Sequence, residues 1–534
     1  LELEQLQGSL LEGTVSLSGP VDWDPIPRWD LQITGSGLNP ELLVADIPGE
    51  LSLNAATRGE LDAAKGLLAQ VQVKQLSGTL LDYPLDLTAQ ASVSGEVIQL
   101  ASLDLDSDGN RLHASGTVSP AQMALAWQLD APNPASFVAG ATGNLAAQGR
   151  LTGSPDSPQL GATLQGTALQ LDTLSVSTLT ATVTAGTGSQ DDLHLDLSTG
   201  PLQDGDQTPL QALRLETRGS NSSHRVTLQA DANEEHLRAA LQGGLSDEMD
   251  AWQGQLSQLE LSSKQYGLWR LAQTTPLALS ASEASLGNSC LRREGDSAQL
   301  CAGGNWSATG QSTLLAKLEA LPLQSLLPQV SSEVSGAVDA SLAADGTLIV
   351  ASEVRLSPGQ VTVELDQRMQ QLNHGGGDLV LTVNDKGLSA TLELAAPENG
   401  NMAANVQIPS LTALPLAGAQ PLQGTVQATL PDLGGLAAWV PELGSSAGRL
   451  EADLQLAGSP EQPQVHGHLT LSEGAAEIPM AGLSLQQIEL RAISNPEQVG
   501  QLLISGAMNS GPGRIELSGQ ADLLGNNATL TIQG

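Results

Sequence analysis

Residues 448–458 read Gly-Arg-Leu-Glu-Ala-Asp-Leu-Gln-Leu-Ala-Gly. Leu450, Ala452, Leu454 and Leu456 alternate with Arg449, Glu451, Asp453 and Gln455. A period of two is that of a β-strand with one apolar face and one wet face. The same glycine-to-glycine step recurs at 49–59, with Leu51, Leu53, Ala55 and Thr57, and at 143–153, with Leu145, Ala147, Gly149 and Leu151. It returns at 336–346 with Val338, Ala340, Leu342 and Ala344. The chain therefore keeps returning to one strand type, and no catalytic motif is attached to it.

Composition points the same way. Of 534 residues, one is Phe, two are Tyr and seven are Trp. Thick cores rely on aromatic side chains, each of which buries about 150–250 Å². A thin sheet lined with Leu, Ala and Val has no such interior to fill. The net charge is −37, from 21 Lys+Arg against 58 Asp+Glu. That leaves no basic footprint for nucleic acid and no Lys/Arg cluster for docking on anionic headgroups. The acidic balance keeps an apolar-striped sheet in solution and discourages edge-to-edge association. No stretch approaches the ~20 apolar residues of a transmembrane helix. The chain begins at Leu1 without Met and ends in strand-like Ala528-Thr-Leu-Thr-Ile-Gln533, so both ends look cut from a longer sheet protein.

Alternating runs continue through Val71-Gln-Val73, Leu103-Asp-Leu105, Leu193 to Leu197, Leu392-Glu-Leu394, Leu469-Thr-Leu471 and Ile515-Glu-Leu517. Turn residues separate them at Ser107-Asp-Gly-Asn110, Asn384-Asp-Lys-Gly387, Pro397-Glu-Asn-Gly400 and Gly525-Asn-Asn527. That cadence is the one of hairpins or a meander, and at about 12 residues per strand and turn it predicts roughly 45 strands. Helical signals are short. Asn39-Pro40 and Asn133-Pro134 offer an N-cap followed by Pro at the first helical position, leading into Leu42-Leu-Val44 and Phe137-Val138. Related runs are Leu323 to Pro328 and Leu436 to Pro441. Each reads as a short helical plug ahead of a glycine-bounded strand. Two copies also share the following loop, Gly153-Ser-Pro-Asp-Ser-Pro158 and Gly458-Ser-Pro-Glu-Gln-Pro463. The steps are 94, 193 and 112 residues apart, too uneven for a short-coil solenoid. They mark blocks at 1–132, 133–322, 323–435 and 436–534, each of the last three opening with a plug. The predicted fold is all-β: one elongated sheet of antiparallel or meandering strands, curled into a trough because long sheets twist.

Candidate sites are few. Cys290 and Cys301 flank Arg292 to Asp296 and would face each other in a hairpin as a disulfide, suggesting an oxidising compartment; two unpaired buried thiols are the other reading. Asp104-Leu-Asp106-Ser-Asp108-Gly109 resembles half of a calcium loop, but Ser115 stands where the bidentate Glu belongs, so it reads as a hairpin turn. His466-Gly-His468 lacks the three or four ligands zinc needs and reads as a pair of exposed polar-face side chains. His374-Gly-Gly-Gly377 reads as a flexible turn. No nucleophile elbow, phosphate loop or HExxH is present, and the expectation is a protein that is no enzyme, holding no metal and no cofactor. The apolar stripes fit either a closed core, packed on a second sheet, or an open groove.

The plug followed by Gly-x-Leu-x-Ala-x-x-x-Leu-x-Gly-Ser-Pro-x-x-Pro resembles the periplasmic repeats of the AsmA-like, bridge-like lipid-transfer family. Leu286-Gly-Asn-Ser-Cys290 and Leu300-Cys301-Ala-Gly-Gly-Asn-Trp306 resemble a paired-cysteine hairpin of that family. The resemblance implies a β-taco, a U-shaped groove holding phospholipid acyl chains between inner and outer membrane. Groove-lining residues would include Leu51, Leu53, Leu145, Leu151, Val338, Leu342, Leu450, Leu454 and Leu456. It further implies a periplasmic location, an inner-membrane anchor, and work with TamA or a similar outer-membrane barrel through regions not in this chain, in the assembly of outer-membrane proteins such as autotransporters. The alternative is a scaffold that templates outer-membrane strands by edge pairing, without lipid transport; a purely structural stalk is a third.

Overall fold

The structure, a computed structural model, describes residues 2–43, 47–62, 66–205, 207–365, 368–396, 400–409, 420–434, 443–459, 463–495, 497–498, 501–522 and 528–533. The Leu436–Pro441 plug lies outside them, as do parts of the Pro397–Gly400 turn and all of the Gly525–Asn527 turn. Contacts divide the chain into two units, Leu1–Ser263 and Lys264–Gly534.

In the first unit, 19 strands among the described residues run from Glu2–Leu10 to Ala251–Ser263 and form one antiparallel sheet. Most pair with the strand just before and just after them in sequence. The exception is a small hairpin, Leu202–Asp204 with Gln207–Leu210, inserted between Asp192–Thr199 and Ala212–Ser220, which pair directly. The second unit follows the same rule from Gly267–Leu271 to Ala528–Gln533, except that Gly267–Leu271 and Thr275–Ser280 both pair with Glu283–Arg293, and that Val330–Ser331, Gly359–Leu365 and Arg368–His374 form a separate three-stranded sheet. Within each unit the first and last described strands do not pair, so neither sheet closes into a barrel. The fold is all-β, as expected.

These sheets are thin. The chain exposes 31048 Å², whereas two compact globules of half its mass would together expose about 22,000 Å². Buried apolar side chains are few and scattered. One small cluster joins Leu38, Leu51 and Leu85, with Val15, Leu53, Leu76 and Leu105 packed against it.

Of the four glycine-bounded steps, the second and fourth share one geometry. Gly153 and Gly458 pair with Pro158 and Pro463 and have φ of +90° and +87°. Gly143 and Gly448 sit at matching β-bulges, each opposite a stretch with one extra residue, where Ala168 and Glu473 take left-handed φ of 48° and 53°. The first step has no turn at Gly59, and its strand continues to Asp62. The third stops at Leu342, because Ala343–Gly346 closes as a hairpin turn with a 3.0 Å hydrogen bond.

The three described plugs are single 3-10 turns, Pro40–Leu42, Pro134–Ser136 and Leu323–Ser325. Asn39 caps the first, its Oδ1 accepting from the Glu41 amide at 3.1 Å. Most of their large apolar side chains are not inserted into a core: Leu42, Leu43, Phe137, Val138 and Leu327 are exposed, while Pro134 is buried. Polar bonds hold the turns instead. Asn110, 1% exposed, donates to the Asn133 carbonyl at 2.8 Å and to Ser136 Oγ at 2.5 Å, and accepts from the Asn133 amide at 3.0 Å. Tyr83 Oη donates to the Ala135 carbonyl at 2.9 Å. Asn110→Ala should therefore cost about 1–3 kcal/mol locally. Faster amide hydrogen exchange at Phe137 and Val138 is the expected sign, with the strand Leu174–Gly186 unchanged.

Candidate functional site

Pairing of successive strands carries one side-chain row across each unit. In the first, Ile33, Ala55, Val73, Ala89 and Leu103 stand opposite one another in turn. The row continues through Ala114, Trp127, Gly149, Ala162 and Val183. It ends with Leu195, Thr217, Val226, Leu241 and Leu256. A parallel row holds Leu53, Leu76, Leu87, Leu105, Leu112, Leu129 and Ala147. In the second unit Ala316, Val338, Ser352, Leu381, Ala390, Val406, Gly424, Leu456 and Val465 form one row. Beside it run Val354, Leu379, Leu392, Ala404, Val426 and Leu454. Each row is almost free of charge, and directly opposed apolar pairs of this kind are the unit of sheet stabilisation.

The groove residues named from the sequence all fall on these apolar faces. Leu145 and Leu151 pair with Gly166 and Leu160, and Leu450 with Leu471. Their covering differs. Leu51 is buried in the small cluster, Leu450, Leu454 and Leu456 are half-buried, and Leu342, at the end of its strand, is 46% exposed. Leu314, Val354 and Leu379 on the same face are also exposed. Others in the same rows, Ala55, Ala147, Leu256 and Val465, are buried.

Tryptophans level this face in a way the sequence does not announce. Trp29 stands opposite Gly59 and Trp127 opposite Gly149, and each indole occupies the space a Cβ there would need. Trp252 lies in the same way over Gly243 and Gly254, and its Nε1 donates to His224 Nε2 at 2.9 Å. The signal is a Trp on one strand and a Gly on the next, and it becomes legible once register is known.

On the wet face, side chains pair across strands. Arg28 meets Glu60 at 3.2 Å, Arg214 meets Asp196 at 3.2 Å, and Arg58 meets Asp30. Such exposed pairs contribute little. Arg355 lies 2.7 Å from both Asp378 and Glu353, and the Asp378 hydrogen bond, then its charge and that of Glu353, raise the guanidinium pKa further. The Asp345 carboxyl is held below its ordinary value by the hydrogen bond from the Thr347 amide, at 2.9 Å. Asp104 pairs with His113 at 2.7 Å, and Asp108-Gly109 makes a turn. His466 and His468 are exposed, opposite Gln455 and Asp453. Among the described residues no group of three metal-ligating side chains converges.

Cys290 and Cys301 are directly opposed on adjacent strands, with sulfurs 2.13 Å apart. Their hairpin is tightened by Arg293, 3.0 Å from Asp296. Thiol-reactive labelling of the folded, oxidised chain should mark neither cysteine, and reduction should expose both together; labelling before reduction would show that the bond is not formed.

A family model described as TamB, N-terminal domain, matches residues 1–471.

Proposed function

The chain belongs to the TamB family, and on that premise we propose that it is a segment of a periplasmic bridge whose apolar face conducts phospholipids between inner and outer membrane. The observation that carries the reading is the apolar row that runs from strand to strand across each unit, with Leu314, Leu342, Val354 and Leu379 exposed on that face. An acyl chain lying on such a face gains about 0.8 kcal/mol for each CH₂ removed from water, while its headgroup stays at the wet margin. Leu, Val and Ala in repeated rows make many weak and nearly equal sites. A chain can slide along these, whereas a deep pocket would trap it. In this reading the polypeptide binds and orders lipid and performs no reaction.

The same proposal places the protein in the periplasm, where the Cys290–Cys301 pairing suits an oxidising compartment. No described helix is long and apolar enough to cross a membrane; the proposal assigns an inner-membrane anchor to sequence outside this chain. Support for outer-membrane protein assembly, with TamA or a similar barrel as partner, would likewise run through other regions. Templating by edge pairing finds less support. Most strands inside each unit have hydrogen-bonded neighbours on both sides and offer no free edge, whereas the apolar face repeats throughout.

Photocrosslinkers at Leu450, Glu451, Ala452 and Asp453 test the face directly. Lipid adducts are expected at Leu450 and Ala452 and not at the other two; equal adducts at all four, or none, would sink the proposal. Leu454→Asp should lower phospholipid co-purifying with the chain several-fold in native mass spectrometry. Because Leu454 is half-buried, circular dichroism of the same variant should confirm that the sheet persists.

A further inference from the structure

We propose that the wet face of the second unit carries a docking site for a partner protein, taking a short segment with aliphatic side chains beside a lysine or arginine. On this face alternation should leave polar side chains, and near the disulfide aliphatic ones stand among them. Leu315 and Val380 point to the wet side, 55% and 43% exposed. Two adjacent transverse rows hold them. One runs Cys301, Lys317, Ala337, Glu353, Val380, and the other Gly303, Leu315, Asp339, Ala351, Thr382. Together they line a shallow depression of about 450 Å³, within the range of small binding clefts. The hollows on the wet face of the first unit, about 620 and 550 Å³, are lined instead by side chains such as Gln128, Arg150, Thr163, Asp104 and Arg111. Single exposed aliphatic side chains are ordinary on a protein surface, but here Leu315, Ala337, Ala351 and Val380 line one depression among charged neighbours.

Charge selects the occupant. Lys317 is neutralised by Glu319 at 2.5 Å, and Arg355 by Glu353 and Asp378. Asp339, in the middle of the depression, has no ion pair among the described residues. The chain as a whole carries −37. A ligand here must bring positive charge together with apolar surface. Lys317 and Glu353 interrupt the aliphatic rows, so the site accommodates one or two side chains and not the length of an acyl chain.

Fluorescence anisotropy with labelled Gly-Lys-Leu-Leu-Lys-Gly tests this on the intact chain. It should bind, while peptides with Ser-Ser for Leu-Leu, or Glu for Lys, should not. Leu315→Ser, at an exposed position where substitution costs little stability, should weaken binding at least tenfold. Asp339→Asn should weaken it several-fold and reduce its salt dependence. Leu454→Asp, on the opposite face, should leave peptide binding unchanged even where it abolishes lipid recovery. Absence of binding, equal affinity for Leu315→Ser, or preference for the Glu peptide overturns the proposal. So does a change of sedimentation coefficient in Leu315→Ser without peptide binding, which would make the patch a contact between copies.

Discussion

Because successive side chains of a strand point to opposite faces, a slip of one residue in a single ladder would carry all of that strand's leucines to the wet side. In a sheet one layer thick nothing on the other side could absorb them. Register is therefore the constraint from which the apolar face follows, and the chain holds it with bulges. In Gly66–Leu80, Ala69, Val71 and Val73 fall on odd positions, and Leu76, Gly78 and Leu80 on even ones. Register shifts at Asn54/Ala55 and Val73/Leu76 bring both sets to one face. The strand Val97–Ser107 changes phase in the same way between Leu100 and Leu103. At Ala168, Ala320 and Glu473 the switch is made by a residue with left-handed φ. A bulge also increases local twist.

A thin sheet cannot rest its stability on one thick core. It distributes it over ladder hydrogen bonds and cross-strand pairs, and fixes its margins with buried polar side chains. Asn110 holds the second 3-10 turn, and Asn221 donates to the Gly186 and Gly188 carbonyls at 2.8 Å each. His224 bonds the Ser220 carbonyl at 2.9 Å through Nδ1 and accepts from Trp252 through Nε2. Leaving a buried partner unsatisfied costs about 1–3 kcal/mol. These few residues therefore act on individual loops, while a substitution in a row acts on the face.

Much of this was legible in the sequence, for a physical reason: period two is local. Leu193 to Leu197, Leu392 to Leu394 and Leu469 to Leu471 are strands, Asp108-Gly109 and Asp385-Lys386 are turns, and the cysteines meet. What escaped depends on register, which is not local. Gly336 to Gly346 matches the other steps in spelling, yet its strand gives way after Leu342 to a hairpin turn. The Asn-Pro signals mark real turns, but whether Leu43 or Phe137 packs inward depends on what lies beneath, and both are exposed. Trp29 and Gly59, far apart in sequence, become one feature only when their strands are paired.

Period two also frees the two faces from one another. Leu315 and Leu314 are neighbours in sequence, yet Leu314 opposes Ala340 in the apolar rows while Leu315 opposes Asp339 on the wet side. A substitution at either leaves the other's surroundings nearly intact, since the backbone lies between them. Apolar rows confined to one face can thus extend from strand to strand under a single requirement, that odd and even stay in register. The opposite face is bound by a different requirement, solubility, which the acidic excess meets. That face departs locally from polarity beside Cys301, where Leu315 and Val380 are exposed. The aliphatic patch there contributes nothing to the apolar rows and works against the solubility of its own face.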